Sequence, residues 1–226
     1  MPEADKTLVT VATYNEMENL PDLIEAIHGV VPEADVLVIN TCSIRDKAEH
    51  QLYSDLGKLR EWKAERPGRI VGVGGCVAQL EGREILERSR SVDVLVGTHN
   101  LPRVPDLLEQ ALESGAPAVD LDRRADAFSV SQDHIAHSHP VRAYVTAMEG
   151  CNHVCSFCVV PRTRGPEVSR PPGHIVSEVE SLVRRGYPEV MLLGQTVNAY
   201  RHGDVDFAEL LARVDAVSGL KRLRFT

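Results

Sequence analysis

Short β-branched apolar runs alternate with longer polar segments of helical character along this chain of 226 residues. This alternation indicates parallel strands joined by helices, because the strands of such sheets are buried on both faces and need no polar alternation. The predicted strands of the first half are 7–13, 35–40, 69–74 and 93–97, and its predicted helices are 18–30, 44–66, 81–88 and 101–114. We therefore expect an α/β fold that begins with an open parallel sheet.

A second series of strands and helices follows the segment 115–140, which has weak periodicity and contains His134, His137 and His139. We interpret this segment as a polar linker, although its histidines leave a metal site conceivable. The second series has predicted strands at 141–148, 189–193 and 222–225 and predicted helices at 175–185 and 207–217. Residues 141–226 are thus predicted to be the start of a β/α barrel, and residues 1–114 a separate domain.

Three cysteines, Cys151, Cys155 and Cys158, are spaced C-x3-C-x2-C directly after an apolar segment. Three thiolates on one short loop can hold an iron-sulfur cluster, and with no fourth cysteine nearby one iron would stay open to a substrate. Zinc with His153 or His174 as the fourth ligand is an alternative, as are inert buried cysteines. Zinc is disfavoured because zinc sites usually consist of two separated ligand pairs.

The other two cysteines, Cys42 and Cys76, each follow a predicted strand by a residue or two. Ligand groups of parallel α/β proteins gather at the carboxyl ends of strands, so we expect these two cysteines to share one site. The turn at 194–198 also follows a predicted strand. We expect it to meet the cysteine loop over the mouth of the barrel.

Cysteine count and charge narrow the setting in which the chain works. Five cysteines, no apolar signal segment and no stretch of membrane-spanning length argue against a disulfide scaffold and for the reducing cytoplasm. The net charge is -8, but residues 138–226 carry 11 Lys and Arg against 9 Asp and Glu. Arginines cluster after the three cysteines, either as a solvated face or as a rim that a polyanion approaches.

Several strings of residues carry a resemblance to a known family. They are NTCSIRDKA at 40–48, VGGCVAQ at 73–79, MEGC at 148–151, PRTRG at 161–165, SRP at 169–171 and LLGQTVNAY at 192–200. The cysteine spacing, with Phe157 before the last cysteine, resembles the radical S-adenosylmethionine (SAM) superfamily. From about residue 34 onward the strings resemble the tRNA methylthiotransferases that convert N6-isopentenyladenosine beside the anticodon into its 2-methylthio derivative.

The resemblance implies cofactors and site residues. Cys151, Cys155 and Cys158 would hold a 4Fe-4S cluster that binds SAM, with Phe157, Gly194 and Gln195 near the cofactor. An electron from this cluster would generate a deoxyadenosyl radical that removes hydrogen from C2 of the adenine. A second, auxiliary 4Fe-4S cluster on the N-terminal domain would supply the sulfur, and Cys42 and Cys76 match two of its ligands.

The same resemblance implies partners. These would be tRNA and a low-potential electron donor such as flavodoxin or ferredoxin, with no membrane and a monomeric protein in the cytoplasm. Charge alone suggests that Arg162, Arg164 and Arg170 contact the tRNA.

Two departures from the family pattern predict impaired activity. Residues 1–41 contain no cysteine, although the family places its first auxiliary-cluster ligand there. Residues 7–39 instead resemble the nucleotide-sugar end of polyprenyl-phosphate mannosyltransferases, which suggests a chimera joined near 34–39. The chain also ends inside the third barrel strand, so we expect a truncated barrel.

Three other functions compete with this one. An inactive iron-sulfur-binding fragment is the main alternative. A nucleotide-sugar glycosyltransferase would need an acidic motif that the sequence lacks after residue 39. A ferredoxin-like carrier would need a fourth cysteine near the triplet.

Overall fold

A computed structural model describes residues 7–12, 34–42, 46–123 and 139–226. The chain divides into two compact units, Met1–Ala127 and Phe128–Thr226. The predicted helix at 18–30 lies outside the described residues, as do His134 and His137. Among the described residues, no helix has both the length and the apolar character needed to cross a bilayer.

The first unit contains a parallel sheet of five strands in sequential order. The strands are β1 (Thr7–Ala12), β2 (Ala34–Thr41), β3 (Ile70–Gly75), β4 (Val94–Val96) and β5 (Ala118–Asp120). The described helices are α1 (Asp46–Glu65), α2 (Cys76–Glu81), α3 (Glu84–Arg88) and α4 (Val104–Ser114), the last preceded by a 3-10 turn at Leu101–Arg103.

Both faces of this sheet are covered, as the continuous apolar strands predict. Leu37, Ile39 and Val73 pack on one face in a buried cluster with side chains of α1. On the opposite face, Val36 and Val94 join a second buried cluster that includes side chains of α4. Burial of apolar side chains on two faces stabilises the central strands and fixes where their carboxyl ends lie.

Two details of the first unit differ from the sequence prediction. Strand β5 lies inside the segment 115–140 that was predicted as linker, because three residues are too short to show a periodic pattern. The predicted helix at 81–88 is two short helices, and the first of them already begins at Cys76. Gly82 separates them with φ of +59°, a conformation that interrupts a helix and suits glycine.

The second unit has a parallel sheet in the order β12-β9-β6, with β6 at Arg142–Thr146, β9 at Glu189–Leu193 and β12 at Arg222–Phe225. Two antiparallel ribbons accompany it: β7 (Met148–Glu149) with β8 (Val168–Ser169), and β10 (Arg201–His202) with β11 (Val205–Asp206). The helices are α5 (Val160–Thr163), α6 (Pro172–Arg184) and α7 (Phe207–Asp215), with a 3-10 turn at Val197–Ala199.

One face of the second sheet packs against α6 and α7. Val145 and Leu192 from the strands join Val179 and Leu210 from the helices in one buried cluster. Parallel strands with their connecting helices on one face are the arrangement of a β/α barrel, which confirms the predicted α/β class. In such an arrangement the loops after the strands share one edge of the sheet.

His139, which the sequence left open as a metal ligand, has a backbone role in the structure. Its Nδ1 accepts hydrogen bonds from the N–H groups of Val141 and Arg142, at 3.1 and 3.0 Å. The imidazole thus lies at the start of β6, and its acceptor nitrogen is hydrogen-bonded to the main chain.

Candidate metal centre

The cysteine loop connects β7 to α5 and is tied to the fold at its first cysteine. The N–H of Cys151 donates to the carbonyl of Gly165 at 3.1 Å, and its side chain is buried. Cys155 is exposed and Cys158 is half-buried, and a turn joins them because the N–H of Cys158 donates to the carbonyl of Cys155 at 3.0 Å. All five cysteines of the chain are free thiols. The loop thus presents one buried, anchored cysteine, one half-buried cysteine and one exposed cysteine.

Gly150 makes the tight entry into this loop possible. Its φ is +78°, and a Cβ at this position would lie 2.0 Å from the carbonyl oxygen of Pro166. Any larger residue would push the loop away from the segment that leads into β8. The position of Cys151 therefore depends on a glycine directly before it.

The cysteine loop meets the turn after β9. The side-chain oxygen of Gln195 accepts a hydrogen bond from the N–H of Gly150 at 2.7 Å, and Sγ of Cys151 lies 3.3 Å from Oγ1 of Thr196. These contacts confirm the expectation that the two loops meet. Gly194 is needed for this close approach, since a Cβ there would lie 2.7 Å from Cγ of Met148. Phe157 is 91% exposed, and its contact with a cofactor stays a prediction.

Asn152 and Glu167 form a second link across the loop, and the sequence did not reveal it. The N–H and Nδ2 of Asn152 donate to the two carboxylate oxygens of Glu167 at 3.3 and 3.1 Å. In return, the N–H of Glu167 donates to Oδ1 of Asn152 at 3.1 Å. The β7–β8 ribbon brings the two residues together, and its two-residue strands leave no periodic signal in the sequence.

The structure also brings a histidine and a carboxylate to the first cysteine. The ligand atoms of Cys151, His153 and Glu167 all lie within 4.8 Å of one another. Among the described residues, His174 does not belong to such a group. The group contains His153 but neither Cys155 nor Cys158, so it differs from the zinc site of three cysteines and one histidine that the sequence left open.

The three arginines predicted to contact RNA occupy different environments. Arg162 is exposed. Arg164 is half-buried, and its Nη1 lies 3.3 Å from Oε1 of Glu149. Arg170 is only 6% exposed, and its Nη1 lies 2.7 Å from both the carbonyl of Thr146 and a carboxylate oxygen of Glu178. The buried position of Arg170 points to a structural role.

Burial also shifts the titration of the partner of Arg170. Loss of hydration raises the pKa of the Glu178 carboxyl above its ordinary value, and the charge of Arg170 opposes this shift. Tyr200 adds to the same network because its hydroxyl donates to the carbonyl of Arg170 at 2.7 Å. The network ties β6, α6 and the segment after β9 together.

In the first unit, Cys42 and Cys76 directly follow paired strand residues. Thr41 of β2 and Gly75 of β3 are partners in the parallel register, and Oγ1 of Thr41 donates to the carbonyl of Gly74 at 2.7 Å. Both cysteines are half-buried. The two cysteines therefore follow the ends of neighbouring strands, and this placement supports the predicted shared site.

Gly75 allows the chain to turn directly from β3 into the helix that starts at Cys76. Its φ is +93°, and a Cβ there would lie 2.4 Å from both Oδ1 of Asn40 and the carbonyl oxygen of Thr41. Any larger residue at this position would collide with the end of β2.

A polar network that the sequence analysis did not predict lies at the ends of β4 and β5. Asp120 is 5% exposed and accepts hydrogen bonds from Nδ2 of Asn100 and from Nη1 of Arg103. Nearby, Nε2 of Gln79 donates to the carbonyl of Leu121 at 2.9 Å, and its Oε1 accepts from the N–H of Thr98 at 3.2 Å. These contacts fix the edge of the sheet that carries the two cysteines.

Two family profiles match the chain. Residues 17–97 match the profile described as "Uncharacterized protein family UPF0004", and residues 145–226 match that of the radical SAM superfamily. The first match begins at residue 17 and so overlaps the segment 7–39 that resembles mannosyltransferases. The proposed junction near 34–39 stays a prediction.

Curated relatives share the similarity over most of this chain. The tRNA-2-methylthio-N(6)-dimethylallyladenosine synthase of Polynucleobacter asymbioticus is 46% identical over 221 residues, which cover 92% of this chain and 48% of that protein. The synthase of the same name from Haemophilus ducreyi is 43% identical over 222 residues, covering 93% and 46%. The chain spans about half the length of the curated relatives it matches.

A solved structure agrees at the level of fold. The radical SAM methyltransferase TsrM from Kitasatospora setae aligns with a TM-score of 0.51 at 14% identity, covering 78% of this chain and 40% of that protein. The cysteine loop, its contact with the turn after β9 and the two matching profiles agree with one another. The chain therefore contains a radical SAM domain at residues 145–226 and is similar, over most of its length, to curated tRNA-2-methylthio-N(6)-dimethylallyladenosine synthases.

Proposed function

We propose that this chain carries the SAM-binding part and the sulfur-donating part of an enzyme that methylthiolates N6-isopentenyladenosine in tRNA. The observation that carries the proposal is the contact of Cys151 with the turn after β9. It occurs in a chain whose relatives, 42 to 46% identical, are named tRNA-2-methylthio-N(6)-dimethylallyladenosine synthases. The chain spans about half the length of these relatives, so the reaction itself has to be tested.

The residues of the cysteine loop fit the 4Fe-4S cluster that the family implies. Cys151, Cys155 and Cys158 are free thiols on one short loop, and the exposure of Cys155 gives this loop a side that is open to solvent. When bound, the cluster supplies an electron to SAM and so starts radical chemistry. Gln195 and Thr196 position the loop: the first holds Gly150, and the second contacts the sulfur of Cys151.

The auxiliary cluster would use Cys42 and Cys76. The register of β2 and β3 holds these two thiols at neighbouring strand ends. A third cysteine from residues 1–41, which the family resemblance implies, is missing from the sequence. The donor set is therefore incomplete, and we expect sulfur donation by this chain to be impaired.

Arg162 and Arg164 are the arginines that we propose for contact with tRNA. Arg162 is exposed and Arg164 is half-buried beside Glu149. Both stand directly after the cysteine loop, where a phosphate backbone would approach a substrate base. The other partner would be a low-potential electron donor. A tRNA substrate would also place the protein in the cytoplasm.

Hybrid proteins test the proposal without requiring the chain to replace a relative of twice its length. In one hybrid, residues 34–226 replace the matching part of the Polynucleobacter asymbioticus synthase, which keeps its own N-terminal segment. In a second hybrid, residues 1–226 replace the whole matching part. Both are expressed in cells that lack the endogenous enzyme, and mass spectrometry of digested tRNA measures 2-methylthio-N6-isopentenyladenosine.

We expect product from the first hybrid and little or none from the second, because only the first restores the missing ligand. The Cys155→Ala form of the first hybrid is the matched control and should make no product. If the first hybrid is folded and binds iron yet leaves the tRNA unmodified, the substrate assignment is wrong. Equal product from both hybrids would show that two cysteines suffice at the auxiliary site.

A further inference from the structure

The residues around Cys151 offer a second kind of metal site, distinct from an iron-sulfur cluster. Its three donors are the thiol of Cys151, the imidazole of His153 and the carboxylate of Glu167, all within 4.8 Å of one another. We propose that the chain without a cluster binds a single divalent transition-metal ion such as Zn²⁺ through these three side chains. This inference concerns the cluster-free chain and does not depend on the proposed substrate.

The donor set suits zinc. A thiolate, an imidazole and a carboxylate are the ligand types that Zn²⁺ binds, at about 2.3, 2.0 and 2.1 Å respectively. Ligand atoms around a tetrahedral ion with such bonds lie about 3.3 to 3.6 Å apart. The three ligand atoms lie within 4.8 Å of one another, so binding the ion requires the longest separation to shorten by no more than about 1.5 Å. Water would complete the fourth position.

Two of the three ligands are already positioned by the fold. Cys151 is held by the carbonyl of Gly165 and by contact with Thr196. Glu167 is oriented by the backbone and side-chain amides of Asn152, in the way that hydrogen bonds to a ligating carboxylate orient it at metal sites. His153 is exposed, so its ring turns toward the ion at little cost in packing.

The two metal-bound states exclude each other because both use the same sulfur. On binding Zn²⁺ the thiol of Cys151 releases its proton to solvent, as every thiolate ligand must. Zinc leaves Cys155 and Cys158 unligated, whereas the cluster needs all three cysteines. Zinc bound at this site should therefore slow assembly of the cluster.

Cobalt titration of the cluster-free chain tests the site directly. Co²⁺ reports its ligands by colour: a thiolate-to-metal band shows the sulfur, and intense visible bands show tetrahedral geometry. Competition by Zn²⁺ then gives the affinity for zinc. The chain is titrated anaerobically in the reduced state, and far-ultraviolet circular dichroism checks the fold of each variant.

We expect His153→Ala and Glu167→Gln each to weaken Co²⁺ binding at least about tenfold, since losing a direct ligand costs no less than losing its supporting hydrogen bond. Cys155→Ala, Cys158→Ala and His174→Ala should each change it less than about threefold. Asn152→Ala, which leaves the three ligands in place, should have a smaller effect than Glu167→Gln.

Three results would overturn the proposal. Loss of cobalt binding in Cys155→Ala or Cys158→Ala, with His153→Ala unaffected, would assign the ion to the cysteine triplet. Equal losses in Asn152→Ala and Glu167→Gln would show that Glu167 acts by holding the loop. Absence of a sulfur-to-cobalt band in the unsubstituted chain would remove the site altogether.

A second measurement uses the competition between the two states. Iron and sulfide are supplied to the chain with and without an equivalent of Zn²⁺, and the visible absorption of the cluster is followed over time. Zinc should slow cluster formation in the unsubstituted chain and have less effect in His153→Ala. Equal slowing in both would contradict a role for His153.

Discussion

The side chain of Gln195 holds the backbone of Gly150: its Oε1 accepts the N–H of that glycine at 2.7 Å. The turn after β9 thereby fixes the residue that directly precedes the first cysteine. Replacement of Gln195 by leucine removes the acceptor, and we expect a loss of about 1 kcal/mol in the free energy of unfolding. Iron should also leave the reconstituted chain faster under a chelator.

Gln195→Glu is the matched control for this first prediction, because its carboxylate keeps the acceptor. It should retain iron nearly as well as the unsubstituted chain. If both variants lose iron at the same rate, the hydrogen bond to Gly150 does not position the loop.

Gly150→Ala tests the tight entry into the cysteine loop. Both a positive φ and a clash with the carbonyl of Pro166 oppose the added methyl group, so we expect a destabilisation of about 3 kcal/mol or more. Gly186→Ala has a similar φ of +95° but meets nothing within 4 Å, so it should cost only about 1 kcal/mol. Urea denaturation measures both, and equal losses would show that the clash with Pro166 is relieved by movement of the loop.

Substitution of Arg170 and of Arg162 by methionine should distinguish a structural arginine from one that contacts RNA. Arg170→Met leaves the buried carboxylate of Glu178 without its cation, and we expect a destabilisation of about 3 to 5 kcal/mol. Arg162→Met should change stability by less than about 0.5 kcal/mol. If Arg162 contacts a phosphate, the logarithmic salt slope of tRNA binding should fall by about 1 in this variant. Unchanged tRNA affinity would exclude that contact.

Two glutamates of the second unit should give opposite pH dependences. The raised pKa of Glu178 means that the folded state holds its proton more tightly than the unfolded state does. Its contribution to stability is therefore greatest below the ordinary value of 4.5 and is lost as the pH rises through the folded pKa. Glu178→Gln should remove this loss, as measured by urea denaturation across pH 4 to 8.

Glu189 is the contrasting case. The guanidinium of Arg142, 2.5 Å away, lowers the pKa of this carboxyl. Its contribution is present above the ordinary value of 4.5 and is lost as the pH falls through the folded pKa. In Glu189→Gln the stability should depend less on pH on the acid side. If Glu178→Gln and Glu189→Gln change the pH dependence of stability in the same direction, the assignment of the two pKa shifts is wrong.

Sequence reasoning located those parts of the structure that depend on local patterns. The β-branched run at 36–39 predicts a buried strand, and the spacing of Cys151, Cys155 and Cys158 predicts a metal-binding loop without reference to the fold. The pairing of Asn152 with Glu167 and the burial of Arg170 depend on strands and helices far apart in the chain. An arginine beside serine and proline is expected to be exposed on sequence alone, and only the folded structure shows that Arg170 is buried.

Anaerobic reconstitution should give one stable 4Fe-4S cluster per chain, because the triplet supplies three thiols whereas Cys42 and Cys76 would supply only two to the proposed auxiliary site. Iron and sulfide analysis measures the content. Cys155→Ala should abolish that cluster and leave the far-ultraviolet circular dichroism unchanged, since Cys155 is exposed and adds little to the core. Iron equal to two clusters would show that another ligand completes the auxiliary site.

Thr41 and Gly75 are paired in the sheet, so the register of β2 and β3 determines how far apart the next residues, Cys42 and Cys76, begin. Cys42 and Cys76 continue directly from hydrogen-bonded strands, so a metal ion that joins them also joins β2 to β3. Such an ion would be linked to global unfolding of the first unit, since separating the strands would require its release. Amide protons in the centre of both strands should then exchange more slowly with solvent when metal is present, far from the metal itself.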